Sequence, residues 1–242
     1  MRPGDRVLEI GAGLGSLTAA LAEAGAEVLG VEFDRSLGPA LREVLKPYPN
    51  VRLEFGDALR MKWDPLLGDE QWRMVSNLPY SVAVPILVQM LEGAPQVRSY
   101  LAMIQREVGE RLVAGPGDAA YGAVSVRIAY RAETALVRRV PPTVFWPRPK
   151  VESVLVRLTP QRPPVDVAAT ALFRVVDEGF AERRKTMKNA LRRLGLHASD
   201  AARFMEICDL SPDARAETLG LGEFARLAGA LVLEGVLPGS PT

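Results

Sequence analysis

Asn77-Leu78-Pro79-Tyr80 directly follows the short apolar run Met74-Val75-Ser76. A carboxamide, a proline-constrained backbone carbonyl and an aromatic ring therefore converge where a buried strand ends. These groups suit a planar ring that carries an exocyclic amine. The Asn77 amide oxygen and the Leu78 carbonyl can accept both amine hydrogens, and the Tyr80 ring can stack on the ring face. The amine of adenine is a poor nucleophile because its lone pair is delocalised into the ring. Two acceptors that draw it toward tetrahedral geometry localise the pair and aim it. The same residue types also make an ordinary polar turn that closes a strand.

A second group of residues suits a nucleoside ligand. Glu9-Ile10-Gly11-Ala12-Gly13-Leu14-Gly15 follows one apolar strand and opens a helix. Glycines there let the backbone approach a ligand, and the helix start offers free N–H groups. The spacing G-x-G-x-G differs from the dinucleotide pattern G-x-G-x-x-G, and the preceding Glu9 repels a pyrophosphate. An acid at this point suits a cationic amino-acid head, and S-adenosylmethionine carries an ammonium, a sulfonium and no phosphate. Glu32 ends the next strand about twenty residues after Gly11, where a carboxylate can hold ribose hydroxyls. Gly56-Asp57-Ala58 ends the third strand and places Asp57 to accept from an adenine amine. Solvated carboxylates at strand ends are the plainer alternative.

Positive charge is concentrated at Arg183, Arg184, Lys185, Lys188, Arg192 and Arg193. The expected helix puts Arg184, Lys188 and Arg192 on one face, opposite an apolar stripe. Such a face is either a solvated amphipathic surface or a phosphate-binding one. The formal net charge of +1 gives no overall basic field, so nucleic-acid binding must come from local clusters such as this. Arg138, Arg139, Arg148 and Lys150 extend the same track.

The elements that position these residues alternate. Strands are expected at Arg6–Ile10, Glu27–Glu32, Val51–Phe55, Met74–Ser76 and Val97–Gln105, with helices at Leu14–Ala24, Ser36–Leu45 and Pro85–Leu91. This alternation is the signature of an α/β chain whose parallel sheet is covered on both faces. Tyr121–Tyr130 fits either a strand or a helix. Thr134–Val140 and Val151–Leu158 flank a proline-rich stretch and read as an antiparallel pair. After the linker-like Pro160–Pro164, one helix is expected to carry Phe173, Val176, Phe180, Met187, Leu191 and Leu194 on one face up to Gly195, followed by shorter helices. The domain division is expected at 1–162 and 163–242.

With 242 residues, 48% of them hydrophobic, the chain has ample material for a core. One cysteine, Cys208, excludes an internal disulfide framework and fits a reducing cytoplasm. One histidine, His197, leaves no material for a histidine-rich metal site or a Ser-His-Asp triad. No run approaches the roughly eighteen apolar residues that a membrane-spanning helix needs.

Taken together, Glu9–Gly15, Glu32, Asp57 and Asn77–Tyr80 resemble the adenine-N6 dimethyltransferases of ribosomal RNA. The likeness extends to Met103–Leu112 with Tyr121-Gly122 and to Phe145-Trp146-Pro147-Arg148-Pro149-Lys150-Val151-Glu152-Ser153, similar to the family's F-x-P-x-P-K-V-x-S segment. It continues through the basic stretch Phe180–Leu191 and through Arg215–Leu219 with Phe224–Leu227, which resemble the small-subunit branch. The resemblance implies a Rossmann-like class I methyltransferase sheet, mostly parallel with an antiparallel last strand, and a small all-helical C-terminal domain that binds RNA. It implies S-adenosyl-L-methionine as cofactor, with no metal, and ribosomal RNA of the small subunit as partner, bound by a cytoplasmic monomer. Glu9, Gly11, Gly13, Gly15, Glu32, Asp57, Ala58 and Asn77 would hold the cofactor. Asn77, Leu78, Pro79, Tyr80 and Phe145 would hold the target base, although Phe145 by itself also reads as core packing. The large-subunit branch associated with macrolide resistance and a catalytically weak RNA-binding assembly or transcription factor on the same fold are the alternatives. Family members carry a segment ahead of the first strand, whereas here that strand begins at Arg6. Ser81-Val82-Ala83-Val84 replaces a polar run, with an effect expected on helix packing.

Overall fold

The computed structural model describes residues 2–182 and 184–239. Its chain forms two compact units, Met1–Gly109 with Ala132–Pro160, and Glu110–Arg131 with Gln161–Thr242.

The first unit is built on a seven-stranded sheet. Its strands are β1 (Arg6–Ile10), β2 (Glu27–Glu32), β3 (Val51–Phe55), β4 (Trp72–Asn77), β5 (Val97–Gln105), β6 (Ala132–Val140) and β7 (Ser153–Pro160). They lie in the order β3-β2-β1-β4-β5-β7-β6. Strands β1 to β5 pair in parallel, and β7 is antiparallel to both β5 and β6. Strand β7 alone is reversed, so β6 runs in the direction of β1 to β5. This is the mostly parallel sheet implied by the resemblance. Val7, Leu8 and Ile10 of β1 and Val28, Leu29 and Val31 of β2 are all buried, because helices cover parallel strands on both faces.

Helices α1 (Ser16–Glu23), α2 (Gly38–Leu45), α3 (Asp64–Leu67) and α4 (Ala83–Gly93) connect the strands. Leu21 and Ala22 of α1 pack on Val7 and Val28, and Leu41 and Leu45 of α2 pack on Ala12, Leu53 and Phe55. Each parallel strand therefore delivers its last residue to one edge of the sheet, the carboxyl edge.

The second unit is helical and contains a single large core cluster. Its helices include α6 (Ala123–Arg131), α7 (Ala169–Ala181), α8 (Met187–Arg193), α9 (Ala198–Ile207) and α10 (Leu221–Leu233); α5 (Arg106–Val113) runs from the first unit into it. The segment Tyr121–Tyr130, ambiguous in sequence, is helical from Ala123. Tyr121, Val126 and Tyr130 are buried with Phe173, Leu191 and Phe224, and the Tyr121 hydroxyl donates to the Leu219 carbonyl at 2.8 Å. The second unit thus takes in Glu110–Arg131, which the expected boundary at 162/163 assigns to the first domain.

The single helix expected up to Gly195 is two. Helix α7 stops at Ala181, and Thr186 is extended at φ −74° and ψ 161° before α8 starts. The Met187 N–H leaves the helical pattern to donate to the Ala214 carbonyl at 2.8 Å, which fixes the break. The apolar periodicity concealed it, because Phe173, Val176, Met187 and Leu191 all enter one core. As a result Arg184 and Lys185 lie in a turn, and Arg184, Lys188 and Arg192 do not share one helical face. Arg183 lies outside the described residues.

Candidate active site at the carboxyl edge of the sheet

Glu9 and Glu32 are the buried acids of this edge, with 1% and 8% of their surfaces exposed. Both Glu32 oxygens are engaged by backbone. Oε2 accepts from Gly13 N–H at 2.7 Å and Oε1 from Asp34 N–H at 2.8 Å. The carboxylate thereby ties the glycine loop after β1 to the turn after β2, and each oxygen keeps a lone pair for a further donor. Glu9 sits one strand in. Burial is the main cause that pushes its carboxyl up to about 7; the Thr18 hydroxyl opposes the rise and the Glu32 carboxylate adds to it. Neither Glu9 Oε2 nor Thr18 Oγ1 finds a well-directed hydrogen bond among the described residues, so the Thr18 contribution is a weak one.

The glycines do different jobs. Gly11, at φ +84°, passes so close to the Asn77 turn that a Cβ would stand 3.3 Å from Pro79 Cδ and 3.5 Å from the Asn77 carbonyl oxygen. Gly15, at φ +87°, caps α1, and a Cβ there would come within 2.9 Å of Leu41. Its space is filled by α2, so it shapes the loop from behind.

A cavity of about 530 Å³ opens in front of Gly11 and Gly13. It gathers five expected cofactor residues, Gly11, Gly13, Glu32, Asp57 and Ala58, together with Pro79. Glu9, Gly15, Asn77, Leu78, Tyr80 and Phe145 do not line it. Asp57 is held in a turn, its Oδ1 accepting from Leu59 N–H at 3.0 Å, with Arg60 3.5 Å from Oδ2. Apolar residues complete the wall, among them Phe33, Leu37, Leu59 and Ile86, and these escaped the sequence reading. Phe33 carried the available sequence signal, its place directly after the strand-end acid Glu32, and in the structure it is 73% exposed. Ser81 and Val82 also line the cavity, so their substitution for polar residues bears on the ligand wall as well as on helix packing. No lysine or arginine is among the lining residues.

The lining fits S-adenosylmethionine. Two lining acids, Glu32 and Asp57, and an apolar wall suit a cationic nucleoside, and the buried Glu9 Oε2, outside the lining, has no partner among the described residues. The same two carboxylates disfavour a phosphate-bearing one by like-charge repulsion.

Next to this cavity lies the turn after β4. Asn77 is exposed, and its carboxamide makes no hydrogen bond among the described residues. The Leu78 side chain is buried at 1% exposure, with its N–H donating to the Met103 carbonyl at 3.1 Å, so the backbone at this point is anchored to β5. Tyr80 is half-buried, and its hydroxyl lies 2.8 Å from that of Ser153, the fully buried first residue of β7. In the sequence Ser153 stands out only as the last residue of the Phe145–Ser153 segment. Phe145 is half-buried in the connection between β6 and β7.

A family model described as ribosomal RNA adenine dimethylase matches residues 1–231. The chain belongs to that family. Ribosomal RNA small subunit methyltransferase A of Cutibacterium acnes is 45% identical, over 98% of this chain and 82% of its own length. The protein of the same name from Moorella thermoacetica is 43% identical, over 95% of this chain and 83% of its own length. Among solved structures, a dimethyladenosine transferase from Plasmodium falciparum superposes with a TM-score of 0.75 at 22% identity, covering 97% of this chain and 92% of its own. The 23S rRNA methyltransferase ErmE superposes with 0.70 at 24% identity, covering 96% and 92%. These two share the fold. As a member of the rRNA adenine dimethylase family, the chain is an S-adenosylmethionine-dependent methyltransferase acting on ribosomal RNA.

In the helical unit, Lys185, Asn189, Arg192 and Arg193 line an open concavity of about 380 Å³ beside the α7–α8 break. Arg193 is committed to Glu178 and Glu182, at 3.0 and 3.3 Å. Arg184, Lys185, Lys188 and Arg192 have no ion pair among the described residues. No helix among those residues is long and apolar enough to cross a membrane.

Proposed function

We propose that this chain dimethylates N6 of adenines in small-subunit ribosomal RNA, acting as a monomer in the cytoplasm. One observation carries the site assignment: a cavity lined by acids, apolar groups and no cation directly abuts a turn that presents a free carboxamide. Glu32 would hold the ribose hydroxyls and Asp57 the adenine amine of the cofactor. Glu9 would offset the positive charge of its amino-acid end. Gly11 and Gly13 supply backbone close enough to enclose it. When bound, S-adenosylmethionine supplies an electrophilic methyl group on a sulfonium.

The remaining work belongs to the turn after β4. Asn77 Oδ1 and the Leu78 carbonyl accept the two N6 hydrogens and localise the lone pair. Pro79 stiffens that turn. Tyr80 stacks on the target base, which has left its helical stack, and Phe145 closes the opposite side. Once methylated, the ammonium is strongly acidic and releases its proton to solvent or a carbonyl. Arg184, Lys185, Lys188 and Arg192, with Arg183, would contact RNA phosphates, which position the substrate by backbone and shape.

The relatives from Cutibacterium acnes and Moorella thermoacetica, named for the small subunit, support that choice of substrate. The test is incubation with labelled S-adenosylmethionine and unmethylated small or large subunits, followed by mapping of the modified base. Label on small-subunit adenines as N6,N6-dimethyladenosine is expected. Label confined to large subunits would replace the substrate.

A further inference from the structure

Trp146 is 96% exposed, the most exposed large apolar residue among those described. It follows Phe145 directly and lies in the connection Pro141–Glu152 between β6 and β7. Because β6 runs parallel to β1–β5 and β7 runs back, this connection leaves and re-enters the sheet at the carboxyl edge, where Asn77 ends β4. Its far end is fixed there. The Arg106 N–H donates to the Glu152 carbonyl at 2.9 Å, Arg106 Nε lies 3.2 Å from Glu152 Oε2, and Ser153 meets the Tyr80 hydroxyl.

Residues 136–152, which carry the indole, hold four cations and one carboxylate. Arg138, Arg139, Arg148 and Lys150 are all cationic and have no ion pair among the described residues. The one carboxylate of residues 136–152, Glu152, is taken by Arg106. Val144 at 63% and Val137 at 53% add exposed apolar surface on the same segment. An exposed aromatic face among unpaired cations is the chemistry that binds single-stranded nucleic acid, with the ring under a base and the cations on phosphates. An adenine that swings out of its stack also leaves its neighbour with an uncovered face.

Resting on the function proposed above, we infer that Trp146 is a stacking platform for the nucleotide adjoining the target adenine, with Arg148 and Lys150 on the flanking phosphates. Trp146 thereby selects an adenine in a single-stranded context and holds the strand while Phe145 and Tyr80 take the target base.

The full chain provides its own probe. Trp63 and Trp72 are buried, at 3% and 8% exposure, so acrylamide quenching of tryptophan fluorescence reads Trp146. An unmethylated, protein-free RNA hairpin containing the target adenines is expected to lower the quenching constant several-fold. Trp146→Ala is expected to reduce kcat/KM for that RNA about tenfold, within the range for loss of one base–aromatic stack. Trp146→Phe should recover most of the loss, and affinity for S-adenosylmethionine should stay unchanged in both. Quenching that is unaltered at saturating RNA, with binding verified by mobility shift, overturns the platform, as does a Trp146→Ala enzyme within twofold of wild type. Protection by whole subunits but not by a hairpin that is bound places the indole against another part of the subunit and also overturns it. Absence of methyl transfer to any ribosomal RNA overturns the function proposed above, and that outcome is read from the transfer assay, independently of fluorescence.

Discussion

The Tyr80 hydroxyl lies 2.8 Å from the Ser153 hydroxyl, joining the turn after β4 to the first residue of β7. This bond fixes the ring plane expected to meet the target base, and it links two sequence segments 73 residues apart. Ser153→Ala frees the ring, while Tyr80→Phe keeps the ring and leaves a buried hydroxyl without its partner. Each is expected to lower kcat about three- to tenfold at unchanged cofactor affinity, with a coupling of about 1 kcal/mol in the double-mutant cycle. Strictly additive losses would show that the two hydroxyls do not act together.

Both Glu32 oxygens accept from backbone N–H groups, and the same two oxygens are the ones proposed to hold the cofactor. Glu32→Ala deprives the Gly13 and Asp34 N–H groups of their acceptor. It is expected to weaken S-adenosylmethionine binding at least tenfold, or about 1.4 kcal/mol, and to lower the melting temperature. Calorimetry giving unchanged affinity would remove Glu32 from the cofactor site.

Glu9 makes stability depend on pH. Its folded pKa is raised from 4.5 to about 7, chiefly by burial, so the native state holds this proton more tightly than the unfolded chain. The resulting stabilisation is fully present below about pH 4.5 and is lost as pH rises through about 7. It amounts to roughly 3 kcal/mol at 1.36 kcal/mol per pKa unit. Glu9→Gln mimics the protonated form and should be the more stable protein above pH 7, with the difference vanishing at low pH. Denaturant titrations at pH 5 and 8 measure it; parallel pH profiles for the two proteins would refute the assignment.

The cations around the α7–α8 break should contribute affinity rather than stability. Replacing Arg184, Lys188 and Arg192 together by alanine is expected to reduce RNA affinity and to lower the log–log salt slope by roughly two to three units. Arg193→Ala should behave in the opposite way, destabilising the helical unit by removing its contacts to Glu178 and Glu182. An unchanged salt slope in the triple variant would mark these cations as a solvated surface.

The strands β1, β2, β3 and β5 begin and end where the sequence predicts, because buried parallel strands are short apolar runs punctuated by glycine, proline and acids. Gly11, Gly13, Glu32, Asp57 and Ala58 line one cavity for the same reason: each sits at or just beyond a strand end, and parallel strands bring their ends to one edge. Local pattern could not reveal what depends on contacts across the chain. The break before Met187 is set by a hydrogen bond to Ala214. Phe33 and Ile86 face one cavity from different elements. Tyr80 and Ser153 meet only because β7 folds back on β5.

The single reversed strand makes the proposed acceptor side modular. Were β7 parallel, the connection after β6 would have to cross the length of the sheet, and Phe145 and Trp146 would be carried away from the Asn77 turn. As a hairpin anchored at Glu152 and Ser153, residues 141–152 can change in sequence without moving the glycine loop, Glu32 or Asp57. Exchanging this hairpin between members of the family should therefore transfer preference for the nucleotides around the target while leaving the proposed methyl-donor site as it was.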